Sequence, residues 1–127
     1  MSESNPQMPR MPWYPRDFRS STLGWPLVAR AVYRELLDAQ WDVGGLPVSP
    51  DELKAIAYAS GPEWKKAWPY VEKKFPVDPD GNRRNPRLEQ HRVDALNLLA
   101  KRREAANKRW SKQKNNVLPF SSGGDAQ

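Results

Sequence analysis

The chain has 127 residues, 38% of them apolar, with six Trp, four Tyr and no Cys. Such lean apolar content suits one domain of roughly 80 residues with polar ends. The lack of Cys excludes a disulfide framework and a thiolate metal site. No apolar run approaches the ~18 residues of a membrane span or forms a signal peptide, so a soluble, cytoplasmic protein without a membrane partner is expected. The formal charge of +6 is uneven: residues 1–82 hold 10 Lys/Arg against 11 Asp/Glu, residues 83–127 hold 11 against 4. An excess of this kind favours a polyanionic partner, nucleic acid first and an acidic protein surface second.

In chain order, residues 1–10 are polar and Pro-punctuated and read as a disordered tail. Trp13, Tyr14 and Phe18 lie in a Pro-flanked segment that reads as extended and pinned to the core. The first helix is expected at about Pro26 to Trp41. Val28, Val32, Leu36 and Ala39 form its apolar stripe, widened by Tyr33, Leu37 and Trp41, and Gly44-Gly45 ends it. Ser49-Pro50-Asp51-Glu52 and Ser60-Gly61-Pro62-Glu63 both carry the Ser-x-x-Glu spacing of a capping box. They start a helix over about Pro50 to Tyr58 and another near Gly61, with a turn short enough for a helix-turn-helix. Trp64, Trp68, Val71 and Phe75 make the core stripe of the later helix. Pro69 inside it predicts a kink or break near Lys65–Trp68, because proline removes a hydrogen bond and clashes with the preceding turn.

Asp78-Pro79-Asp80-Gly81 has type I turn preferences and, with its flanks, reads as a short hairpin, the wing. The last helix should begin near Pro86 or Arg87 and run to about Trp110, with Leu88, Val93, Leu96, Leu99 and Ala100 facing inward. Residues 101–110 read as its projecting basic end and residues 111–127 as a disordered tail. The fold expected is therefore mainly α with a small β-hairpin: a winged helix-turn-helix over residues 11–100 with an extended C-terminal basic helix.

Catalysis finds little support. His91 lacks a nucleophile's setting and reads as an exposed helical histidine. Asp78, Asp80 and Asn82 have a superficial calcium-loop look, but Arg83 stands where that loop needs Gly. A non-enzyme without metal, cofactor or small-molecule substrate is expected. Candidate DNA contacts are Lys65, Lys66 and Lys73 on the Gly61 helix, Arg83, Arg84 and Arg87 on the wing, and Arg92 beyond it. Lys101, Arg102, Arg103, Lys108 and Arg109 on the distal helix complete the set. Lysines suit phosphates better than base edges, so weak sequence specificity is expected, with duplex favoured over single strand.

Several runs together carry a family resemblance: Trp13-Tyr14-Pro15-Arg16-Asp17-Phe18, the helix Tyr33 to Trp41, Gly45-Leu46-Pro47, Glu63-Trp64, Pro69, Phe75, Asp80-Gly81 and Asn107-Lys108-Arg109-Trp110. In that combination the chain resembles the YdaU-like prophage proteins from phage replication regions, over about Pro12 to Trp110. It departs from them at Arg30-Ala31-Val32-Tyr33, where relatives carry a Gly-Ala-Tyr step. The resemblance implies a winged helix akin to the DNA-binding part of phage replication initiators, working in a bacterial host cytoplasm. The function expected is DNA binding in replication initiation, of primosome or helicase-loader type, with a helicase loader or other replication protein as a further partner. The alternatives are an adaptor gripping a host replication protein, and a small transcriptional regulator.

Overall fold

The computed structural model describes residues 8–124, and side chains as far as residue 113. It is mainly helical: α1 (Pro15–Ser21), α2 (Leu27–Val43), α3 (Pro50–Ile56), α4 (Gly61–Val71), a 3-10 turn (Glu72–Lys74) and α5 (Pro86–Gly124). Among the described residues, β-structure amounts to two single-residue antiparallel bridges, Leu46 with Arg83 and Val77 with Arg83. The chain forms two compact units, Met1–Val93 and Asp94–Gln127, with the α5 residues after Val93 in the second.

In the first unit α2 is the central helix, and α3 and α4 pack on it. Leu36, Leu46, Leu53, Ala67, Val71 and Phe75 are fully enclosed. Burying each larger one contributes about 1.5–3 kcal/mol, against about 0–1 for a surface ion pair. The apolar core, rather than the many charges, therefore holds this unit together.

α2 begins after Pro26 and stops where Gly44 takes φ +89°, close to the expected bounds. A side chain at Gly44 would also crowd the Arg92 guanidinium, about 3.2 Å from where its Cβ would sit. The two Ser-x-x-Glu sites behave differently. Ser60 Oγ accepts from Glu63 N (3.3 Å) while Ser60 N donates to the Glu63 carboxylate (2.8 Å), a complete capping box. Ser49 makes no side-chain cap, and α3 ends at Ile56, earlier than expected. The α3–α4 turn puts Tyr58 in the left-handed region (φ +58°), with Ala59 N donating to Lys54 O (3.2 Å), the six-to-one bond of a Schellman motif.

Other expectations need correction, among them the extended reading of residues 13–18 and a break at Pro69. The segment read as extended holds α1: Pro15, whose fixed φ suits the first helical turn, starts it, and Asp17 lies in that turn. Phe18 then stacks on Tyr33 (ring centroids 5.5 Å apart) and Trp41 Nε1 donates to Pro9 O (2.9 Å), so this region is fastened to α2 as foreseen. Pro69 does not break α4, which runs unbroken from Gly61 to Val71. Trp64 and Trp68, stacked 4.9 Å apart on its inner side, and the enclosed Ala67 and Val71 hold it across the proline.

The turn at Asp78 closes as a hairpin loop. Gly81 N donates to Asp78 O (2.9 Å), Asp78 N to Asn82 O (2.7 Å), and Gly81 adopts φ +88°. This is a type I turn followed by a left-handed glycine. The pairing beyond it is too short to count as a strand, so the coarser description, a helical protein with almost no strand, is what the structure supports.

In the second unit the helix continues to Gly124, past the end expected near Trp110. No Gly or Pro stands between Trp110 and Pro119, which accounts for the run up to that residue. Side chains 100–113 are exposed. The remainder of the expected disordered ends, residues 1–7 and 125–127, lies outside the described residues.

Candidate nucleic-acid interface

The outer side of α4 follows from its inner side. With Trp64, Ala67, Trp68 and Val71 turned inward, the 3.6-residue period sends Lys65, Lys66, Pro69 and Tyr70 outward, and all four are exposed. Lys73, in the 3-10 turn that continues α4, is exposed too. Among the described residues these three lysines make no ion pair. Glu63 and Glu72 border the stripe on the helical wheel. The Glu63 carboxylate is committed to its cap, and the Ser60 N–H holds its pKa below the ordinary value. The stripe therefore presents three ammonium groups without an ion pair among the described residues, with the Glu63 and Glu72 carboxylates at its two edges.

The four arginines from 83 to 92 are placed otherwise. Arg84 sits among carboxylates: Nη1 lies 3.0 Å from Asp78 Oδ2, Nη2 2.8 Å from Asp80 Oδ2, and Nε 4.0 Å from Glu89 Oε1. Its guanidinium pulls the Asp80 carboxyl down from 3.8 to about 2. Asp78 and Asp80, the residues with a calcium-loop look, are thus occupied by a cation of the chain's own. Arg83 donates to Phe75 O (3.0 Å) and Val48 O (3.3 Å) and lies over the Trp68 ring, 5.2 Å from its centroid. Arg92 donates to Trp41 O (3.0 Å) and approaches Glu89 (3.6 Å), with 15% of its side chain exposed. Arg87 pairs with Asp17 at 2.6 Å but stays 66% exposed. Of the wing candidates, then, Arg83 and Arg84 are committed inside the fold and Arg87 keeps an open side. Lys101, Arg102, Arg103, Lys108 and Arg109 are exposed on the helix of the second unit.

Sequence reasoning missed the polar joint that fixes the start of α5. Gln40, fully buried on α2, accepts from Asn85 N (2.7 Å) and donates to Asn85 O (3.1 Å). Asn85 Oδ1 in turn accepts from Leu88 N (3.0 Å) as the α5 cap, while Nδ2 donates to Lys74 O (3.0 Å) and the Tyr33 hydroxyl (3.3 Å). Asn immediately before Pro is a recognisable cap signal. Gln40 carried none, because glutamine on a helix is usually solvated.

His91 is half-buried rather than exposed. Its ring lies against Tyr14 (5.2 Å between centroids), and its buried Nε2 has no hydrogen-bond partner among the described residues. It lines a cavity of about 70 Å³ with Pro12, Phe18 and Leu37, well below the ~300 Å³ at which ligand pockets begin. Among the described residues no cluster of His, Asp or Glu is arranged to hold a metal, and no helix is long and apolar enough to cross a membrane. No family model, curated protein or solved structure matches the chain.

Proposed function

We propose that this chain is a non-catalytic, duplex-DNA-binding protein of winged-helix type, of phage or prophage origin, acting in replication initiation. The observation that carries the proposal is the α4 stripe, where Lys65 and Lys66 on a capped, core-anchored helix and Lys73 in the 3-10 turn after it stand exposed, with no ion pair among the described residues. Ammonium groups so placed contact phosphates and read little sequence. The element order supports the fold type: a bridge residue follows α2, α3 and α4 come next, and two more bridge residues flank the Asp78 turn. A winged helix distributes its strands in that order. The replication role draws on the resemblance to YdaU-like proteins, and a helicase loader is the partner it suggests.

The test is Lys65→Gln/Lys66→Gln/Lys73→Gln, titrated against duplex DNA by anisotropy at several salt concentrations. Affinity should fall, and the log–log salt slope should flatten by about 0.9 for each phosphate no longer neutralised. An unchanged slope in a variant that melts like the parent refutes the proposal.

One observation favours the adaptor reading. Tyr58 is 87% exposed at the tip of the α3–α4 turn, in a backbone conformation where glycine is the easier choice. A stoichiometric partner that survives ~0.5 M salt and nuclease, and is lost in Tyr58→Gly, would favour it, since phosphate-driven binding collapses in such salt.

A further inference from the structure

A cavity of about 320 Å³ opens where the end of α1, the Glu72–Lys74 turn and the start of α5 converge. Its size is at the lower end of ligand pockets, ~300–1,000 Å³. Lys73, Lys74 and Arg87 line it together with Ser21 and Tyr33, and no carboxylate is among its lining residues. Asp17, outside the lining, pairs with Arg87. Two lysines and an open-sided arginine therefore line one small volume, with Lys74 Nζ 6.0 Å from the centroid of the Trp25 ring.

The hydroxyls add directionality. Asn85 Nδ2 uses the Tyr33 hydroxyl oxygen as an acceptor, which leaves the Tyr33 O–H proton to donate to something else. Ser21 brings a second hydroxyl from the end of α1. Burial raises the Tyr33 pKa above its ordinary value, so the phenol stays protonated and keeps that proton to give. Cations plus neutral O–H donors, with no competing acid in the wall, match a phosphoryl oxygen set.

We propose that this cavity binds a phosphoryl group, borne either by the end of a DNA strand or by a free nucleotide. Lys73 also belongs to the α4 stripe, so Lys74 is the residue that separates the two sites.

The experiment titrates inorganic phosphate into the full chain at constant ionic strength and follows amide shifts by NMR. Saturable shifts centred on Lys73, Lys74 and Arg87 are expected. Lys74→Gln should weaken binding about fivefold or more, while Lys74→Arg retains it. Shifts spread over every lysine, or equal affinity in a folded Lys74→Gln, overturn the inference. Lys65→Gln/Lys66→Gln should leave the phosphate titration intact, so loss of duplex binding there bears only on the α4 reading. Two competitors then identify the source. A 5′-phosphorylated duplex that displaces phosphate better than its unphosphorylated twin assigns a strand end, and displacement by ATP alone assigns a nucleotide. If neither displaces phosphate, the site is not a phosphoryl pocket.

Discussion

At residue scale, the charge of a side chain matters less than what stands beside it. Arg84 binds the two acids of its own turn, so it serves the loop rather than the solvent. Arg84→Ala should lower stability by about 1 kcal/mol in a urea melt and leave the DNA salt slope unchanged. The Asp80 carboxyl titrates near 2 when folded against 3.8 ordinarily. A depressed carboxyl stabilises the fold above its unfolded pKa, so this contribution is complete above about pH 5 and disappears as pH falls through about 2. Asp80→Asn should therefore flatten the loss of stability over that acid interval, with melting followed by circular dichroism. Asn85 is the costlier site. Asn85→Ala deletes the α5 cap and two further donations, leaving Lys74 O without its donor and Tyr33 without its neighbour. A loss of about 2–4 kcal/mol is expected from denaturant titration.

At element scale, the elements with strong local signals were legible and the joints between them were not. The α2 stripe, the Ser60 box, the start of α5 and the Asp78 turn all stood in the sequence, because periodicity, caps and turn residues act over a few positions. α1 escaped because three aromatics among prolines suggested an extended strap, although Pro15 followed by Asp17 is itself a helix start. The uninterrupted α4 escaped because propensity was weighed without tertiary packing, which overrides it where Trp64 and Trp68 stack. Pro69 still forfeits a helical hydrogen bond. Pro69→Ala should accordingly raise the melting temperature, with a gain of about 1 kcal/mol or more, and leave DNA affinity unchanged because the residue carries no charge.

At the scale of the whole molecule, charge counting located the excess cations but not their engagements. Arg84 finds its three acids nearby in the chain, but the bonds of Arg83 and Arg92 to main-chain oxygens required partners from distant positions, Val48 and Trp41. No window of sequence displays those neighbours. Of the candidate contacts, those that stay available are Lys65, Lys66, Lys73 and the open side of Arg87 in the first unit and the five distal cations of the second. Replacing Lys101, Arg102, Arg103, Lys108 and Arg109 by Gln should weaken binding to all duplex sequences alike and reduce the salt slope by up to about 0.9 per residue. Discrimination between sequences should stay the same, which competition between unrelated oligonucleotides would measure.

The paired indoles of Trp64 and Trp68 lie nearly face to face, tilted by 18°. Two identical chromophores at such range share their excitation, and the splitting gives an ultraviolet couplet whose sign reports their handed arrangement. The helix that carries the lysines thus contains a built-in optical gauge. Its couplet should survive neutralisation of the outer ammonium groups and fade only when the helix leaves its seat.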